Sequence, residues 1–333
     1  MVSTGDEPTE GANSRPVVLY LGGLGRSGTT VIERVLGELP GVCSAGELVH
    51  LWQRGVLDDE TCGCGLPFGS CPFWTKVGQV AFGGWSRDLA VRTEELRHRV
   101  DRTRFVPRLL APRLLGRAQR ADLREYADTW LRLYRAIDEV SGGCVVIDSS
   151  KHSSLAFVLR TEPGIDLRVV HVVRDSRGVA YSWTKEVRRP EAGSEAGDEA
   201  SLMTRYSPTR SSALWLGHNL LFGLLSRLGT RTRLLRYEDF VAAPRAVLAE
   251  LAGFAGLSSD LSSGDSPFLD EGTVVLSPSH TVAGNPMRFR TGPVALRRDD
   301  AWRARLPRAR RLLVSALTAP LLARYGYLHR AGR

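Results

Sequence analysis

The chain has little lysine, no long apolar run and no recognisable nucleic-acid motif, and each shortage narrows what it does. Of its 45 basic residues only three are lysines, Lys76, Lys151 and Lys185, so the net charge of +9 is an arginine charge. Together with abundant Ala, Gly and Leu, this bias reads as the mark of a G+C-rich bacterial genome. A basic balance suits an anionic substrate, because it focuses the field into a cleft. There is no zinc finger, no RNP motif and no basic stripe interleaved with aromatics, so nucleic acid is not an expected partner. No apolar stretch reaches membrane-spanning length, and the polar start, residues 1–15, lacks the apolar centre of a signal peptide. A soluble, cytoplasmic protein without a transmembrane segment is expected, with residues 1–15 disordered. Five cysteines are an odd number, which excludes a complete disulfide framework.

What is present is ample apolar material: 43% hydrophobic residues in 333 positions can bury a large core. The expected organisation is a single α/β domain over 16–330, with insertions near 55–120 and a mobile loop near 188–205. Its centre is the stretch from Val17 to Thr30, VVLYLGGLGRSGTT. An apolar, β-prone run reads as a buried strand, a Gly-rich turn follows, and the segment from Thr29 to Leu36 carries apolar residues at helical spacing. Strand, glycine turn and helix N-terminus make a phosphate cradle, completed by the hydroxyls of Ser27, Thr29 and Thr30. The spacing from Gly23 to Gly28 fits a Walker A loop, yet the next residue is Thr29 where that loop has lysine. The cation lies inside the turn instead, at Arg26.

Further along, 42–50 resumes regular structure after the break at Pro40-Gly41. Residues 55–88 are rich in Gly, Cys and Trp and read as an irregular insertion near the site. Residues 93–116 carry six arginines around Val100, Phe105, Leu109 and Leu110, a basic amphipathic helix whose charged face is either solvated or set against a membrane surface or acidic acceptor. Helices are expected over 121–140, 211–228 and 244–255, and a closing helical region over 299–325. Strands are expected at 144–147, ending in Asp148-Ser-Ser-Lys151, at 167–173, ending in Arg174-Asp175, and at 233–237. This alternation predicts a three-layer sandwich around a central parallel sheet, with ligands at the carboxyl ends of its strands. Cys62, Cys64 and Cys71 cluster in CGCGLPFGSC. They read as a compact loop of thiols or one local disulfide; joined by Cys43 they would make a four-thiolate zinc set.

Two motifs carry a family likeness. The segment from Arg26 to Thr30 resembles the 5′-phosphosulfate loop of the sulfotransferases that use 3′-phosphoadenosine-5′-phosphosulfate. The segment from Val172 to Ser182 resembles their 3′-phosphate motif: an Arg ends a strand, and a Ser follows eight residues later on the next helix. The likeness spans about Val17 to Tyr327, apart from 55–120 and 188–205, and is strongest to the tyrosylprotein and carbohydrate branches. It implies the P-loop-type sulfotransferase fold and transfer of a sulfuryl group to a hydroxyl, with no metal required. Arg26, Ser27, Gly28, Thr29 and Thr30 would hold the 5′ end of the donor, and Arg174, Ser182, Asn285 and Arg288 the 3′-phosphate end. Gly46-Glu47 matches the Gly-Glu pair of those branches, which makes Glu47 the general base, with His50 as the rival. Lys151 would stabilise the leaving phosphate, Ser279 would assist at the sulfuryl group, and Tyr237 and Glu238 form a strand-end pair. The expected acceptor is a small molecule, a glycoside or a lipid-linked natural product.

The physical logic of the residues agrees. A sulfuryl group carries less charge than a γ-phosphoryl, and arginine and backbone donors suffice for its oxygens. The competing enzyme class is a P-loop kinase acting on Mg-ATP, with Asp148 and Thr30 holding the metal. Activity retained in EDTA separates a sulfotransferase from it. A non-catalytic nucleotide-binding module would leave Glu47 and Lys151 without a role.

Overall fold

The computed structural model describes residues 15–187, 204–257 and 266–328. All but one residue of the expected disordered start, and 188–203 of the expected mobile loop, lie outside the described residues.

Five parallel strands form the central sheet: β1 (Val17–Gly22), β2 (Val42–Ser44), β3 (Val145–Lys151), β4 (Asp166–Val173) and β5 (Arg231–Arg236), in the spatial order β2-β3-β1-β4-β5. The sheet is covered on both faces, which is why its inner strands are apolar runs without polar alternation. On β1, Val18 and Tyr20 enter one core while Leu19 and Leu21 enter the other. The second core packs the sheet on α1 (Thr29–Leu36) through Ile32, Val35 and Leu36, and on α9 (Tyr237–Ala242) and α10 (Pro244–Ala255). The first core is filled by the segments between β2 and β4. These are α2 (Pro72–Phe82), α3 (Arg87–Val100), α4 (Val106–Leu109), α5 (Arg117–Val140) and α6 (Ser153–Leu159). The expected α/β three-layer architecture with a central parallel sheet is therefore observed.

The segment expected to be irregular over 55–88 is largely ordered. A π-helical stretch, Leu51–Leu57, leads into α2, and Trp52, Phe68, Trp74 and Trp85 pack ring against ring between them. The basic helix expected over 93–116 breaks at Asp101 instead. Two of its six arginines meet the protein's own carboxylates, Arg97 with Glu94 at 3.1 Å and Arg99 with Asp122 at 3.6 Å, while Arg104 and Arg108 lie over the Phe105 ring.

Past β4, α7 (Ser176–Thr184) and α8 (Pro208–Arg227) lead to β5. A two-stranded antiparallel ribbon, β6 (Thr273–Leu276) with β7 (Gly292–Ala295), then brackets a loop, 277–291, that crosses the top of the sheet. The chain closes with α11 (Trp302–Arg305) and α12 (Arg308–Arg324). None of the described helices is long and apolar enough to cross a membrane.

Strand order decides where a ligand can sit. From β1 the chain crosses through α1 to the edge strand β2, returns to β3 beside β1, and then passes to β4 and β5 on the other side, so the crossovers part above β1. The crevice at the carboxyl ends lies there.

Candidate active site

Each of the five strands delivers one chemically capable residue to a single cavity of about 530 Å³. Arg26 follows β1, Glu47 follows β2, Lys151 ends β3, Arg174 follows β4 and Tyr237 follows β5, and all five line it. Gly28, Thr29, Thr30, Ser182, Asn285 and Asp299 line the same cavity.

The turn after β1 leaves a helix start open to the cavity. Gly28 takes the N-cap position of α1 at φ 89°, and a Cβ there would meet the Tyr237 ring at 2.3 Å, so both conformation and space demand glycine. A glycine cap gives α1 no side-chain cap, and its first turn carries no acid. The helix start thus presents N–H groups and positive dipole with no anion of its own. Ser27 is buried beneath the turn and does not line the cavity. Arg26 sits in the left-handed region at φ 74°, with its guanidinium over the Trp183 ring at 5.3 Å. Burial lowers its pKa, opposed by Glu47.

Lys151 is also left-handed, at φ 67°. The cause lies in the sheet register: Tyr20 pairs with Asp148 but Gly22 with Lys151, so β3 carries one extra residue there. Such a bulge re-aims the following side chain, and here it turns Lys151 onto Glu47. Two large residues in a conformation that costs roughly 1–3 kcal/mol each mark this as a functional region.

Glu47 is partly buried, its side chain 14% exposed, and its Oε1 accepts a hydrogen bond from the Lys151 ammonium. Its Oε2 lies 3.8 Å from His50 Nε2. Burial pushes the carboxyl up, but Lys151, His50 and Arg54 outweigh it and hold Glu47 below the ordinary glutamate value. His50 itself is pushed down to about 4 by burial and is neutral at pH 7. His152 and His218 share that wall, also neutral because of burial.

Two consecutive charges on α1 hold this arrangement from below. Glu33, fully buried, accepts from Gly46 N–H at 2.7 Å, Ser44 Oγ at 3.0 Å and Ser149 Oγ at 2.5 Å, and so ties the ends of β2 and β3 together. Desolvation raises its pKa to about 7. Arg34 donates to the carbonyls of Ser277, Arg288 and Arg290, which pins the 277–291 loop.

At the other end of the cavity, Arg174 donates to the Arg26 carbonyl at 3.1 Å and pairs with Asp299 at 3.1 Å, while Lys185 reaches the same carboxylate at 3.4 Å. Asp175 is not its partner. That residue caps α7 and pairs with Arg177 at 2.7 Å. Ser182 lines the cavity two helical turns on, as expected, and the Asn285 side-chain Oδ1 accepts from Met287 N–H at 3.1 Å.

Other expectations change. Arg288 does not face the cavity: it is 1% exposed, donating to the carbonyls of Thr281 and Thr61 at 2.7 Å each and lying over the Phe289 ring. A loop crossing over buried carbonyls needs a buried donor, and Arg288 supplies it. Ser279 likewise does not line the cavity; its hydroxyl faces that of Thr281 at 3.3 Å. Glu238 accepts from Tyr327 at 2.6 Å and from Asp175 N–H at 3.1 Å, a structural tie. Asp148, the metal holder of the kinase reading, is fully buried and bound by Tyr134 at 2.6 Å and by Ser150. Cys43 stands beside Cys144, not with the other three cysteines.

Residues not anticipated are Trp183 and Tyr206, whose tilted rings meet at 4.4 Å on the cavity wall, together with Asp299, His152 and His218. Trp183 follows Ser182 directly on the helix and was open to inspection. The others come from helices and loops with no local signature.

No family model and no curated protein sequence matches the chain. Among solved structures it is similar to the sulfotransferase domain of the Synechococcus PCC 7002 olefin synthase, at 20% identity and TM-score 0.46, over 96% of this chain and 98% of that one. It is similar to the sulfotransferase domain of the curacin biosynthetic pathway, at 15% identity and TM-score 0.47, over 92% and 98%. A third likeness is to sulfotransferase STF9 of Mycobacterium avium, at 13% identity and TM-score 0.43, over 76% and 66%.

Proposed function

We propose that the chain is a sulfotransferase that takes its sulfuryl group from 3′-phosphoadenosine-5′-phosphosulfate and passes it to a hydroxyl. The observation that carries this reading is the meeting, in one cavity, of an uncapped helix N-terminus, Arg26, Lys151, Arg174 and an ionised Glu47. The donor set fits the nucleotide. A 5′-phosphosulfate needs a cradle of N–H groups with cations beside it, and a 3′-phosphate needs a second basic site, here Arg174 with Ser182.

When bound, that nucleotide supplies an electrophilic sulfuryl group on a phosphate leaving group. Glu47 holds the acceptor hydroxyl and takes its proton at Oε2, the oxygen that Lys151 leaves open. Lys151 moves its hydrogen bond from Glu47 to the departing phosphate oxygen, so the carboxylate becomes more basic as the leaving group gains charge. Arg26 faces the equatorial oxygens with a fork of donors. The neutral imidazoles of His50, His152 and His218, with Leu214 and Tyr206, form a wall suited to an uncharged acceptor: a small molecule, a glycoside or a lipid-linked natural product. Asp148, enclosed by Tyr134 and Ser150, is not available to hold a magnesium ion for the kinase alternative.

Incubation with labelled donor and a panel of hydroxyl acceptors, followed by mass spectrometry, tests the proposal. The expected product is heavier by one sulfuryl group and is absent with Glu47→Gln. Turnover of ATP but not of the phosphosulfate donor would overturn it.

A further inference from the structure

We propose that Cys62, Cys64, Cys71 and His280 form a zinc site that staples the segment between β2 and α2 to the loop crossing above the sheet. The four ligand atoms lie within 4.8 Å of one another. Cys64 Sγ and Cys71 Sγ are 3.7 Å apart, and His280 Nδ1 is 3.2 Å from Cys71 Sγ and 4.0 Å from Cys62 Sγ. A tetrahedral zinc ion with ordinary Zn–S and Zn–N bonds sets its ligands about 3.5–3.8 Å apart. The separations of 3.2, 3.7 and 4.0 Å bracket that size, whereas a disulfide requires about 2.05 Å between sulfurs. All three cysteines are free thiols. Three thiolates and one imidazole on a single ion is the ligand set of a closed structural site, with no position left for substrate.

Three local frames hold the four ligands. Cys62 and Cys64 sit in a tight turn in which Cys62 N–H donates to the Leu66 carbonyl at 2.8 Å and Gly65 N–H to the Cys62 carbonyl at 2.9 Å. Cys71 is the N-cap residue of α2. His280 is clamped on the facing loop: its ring stacks on Phe73 at 4.8 Å, and its carbonyl accepts from the Trp74 indole at 2.7 Å. The two sides meet closely at Gly63, where a Cβ would stand 2.5 Å from Thr281 Oγ1. Four ligands from three frames, already converged, point to a site that receives its ion with little rearrangement, releasing three thiol protons to solvent.

The site lies behind the catalytic wall, not in it. Two residues after His280, Val282 exchanges hydrogen bonds with the β2 end, accepting from Glu47 N–H at 2.8 Å and donating to Ala45 at 2.9 Å. The ion would therefore fix the strand-like contact that backs Glu47. The inference stands on the thiol–imidazole geometry and does not depend on the reaction assigned above.

The full chain, purified under reducing conditions, is to be analysed for metal by mass spectrometry and by zinc release to a chromogenic chelator after a mercurial blocks the thiols. About one zinc per chain is expected. Cys64→Ser and His280→Ala are each expected to lower zinc content to about a tenth or less and to lower Tm by several degrees. Should either variant fail to fold, wild-type protein refolded with cobalt(II) decides, because a tetrahedral thiolate site gives intense charge-transfer and ligand-field bands. Folded wild-type protein with neither zinc nor cobalt bands would overturn the proposal, as would a Cys64–Cys71 disulfide in peptides trapped by rapid alkylation. None of these readouts uses sulfuryl transfer, so failure here and failure of the enzyme assignment are distinguishable.

Discussion

The two ends of the cavity both pair a cation with a carboxylate, but in different dielectric surroundings. At one end Lys151 and Glu47 are 12% and 14% exposed. At the other, Arg174 is 8% exposed but its partner Asp299 is 35% exposed, with Lys185 at 36%. A buried pair costs several kcal/mol of desolvation per ion, and removing one partner strands the other. A half-exposed pair is screened and contributes roughly 0–1 kcal/mol. In the reaction proposed above, the less exposed end is therefore the place for chemistry, where a shift of one hydrogen bond changes reactivity greatly. The exposed end would be a handle that an incoming phosphate takes over from Asp299 at low cost.

Substitutions can break that contrast in graded steps. Glu47→Gln is expected to lower single-turnover transfer by roughly 100- to 10,000-fold while affinity for 3′,5′-adenosine diphosphate, followed by calorimetry, stays put. Lys151→Met is expected to cost roughly 100- to 1,000-fold in kcat. It also moves the acid limb of the kcat/KM profile to higher pH, because burial then acts on Glu47 without the nearest charge that opposes it; an unmoved limb would separate the two residues functionally. Arg174→Ala is expected to weaken 3′,5′-adenosine diphosphate by roughly 10- to 100-fold, since a hydrogen bond to a charged group contributes about 1.5–3 kcal/mol, and to leave 5′-adenosine monophosphate nearly unaffected.

Glu33 offers a test of stability rather than rate. Its carboxyl is raised from 4.5 to about 7 in the folded chain, so the folded state binds its proton more tightly than the unfolded one. That contribution to stability is full below pH 4.5 and is lost as pH rises through about 7. Glu33→Gln should flatten denaturation midpoints across this window; an unchanged slope would sink the assignment. The smallest effect is expected for Asp299→Asn, a few-fold tightening of 3′,5′-adenosine diphosphate that fades as salt is raised.

Much of the site was legible because strand ends are local features. A buried apolar run followed by glycine or by a lone cation marks a carboxyl end, and that reading puts Arg26, Lys151 and Arg174 at strand ends, where all three line the cavity. Glu47 came from its place in a Gly-Glu pair, and the sheet class from strand–helix alternation. The loop residues Arg288 and Ser279 do not line the cavity, and nothing local tells whether a side chain in an irregular segment points at a ligand or at a backbone carbonyl.

By itself the sequence determined the parallel sheet, the glycine turn from β1 into α1 and the three cysteines close along the chain, since each depends on neighbours a few residues apart. Tertiary structure alone decided the rest. It chose His280 over Cys43 as the companion of those cysteines, some 210 residues away along the chain from Cys71. It buried Glu33 and Arg34 on what reads as an ordinary amphipathic helix, making them the anchors of two loops. It set Lys151 against Glu47 through a bulge that no pattern announces. These are choices between partners distant in sequence, and only packing, by deciding which polar groups lose water together, settles them.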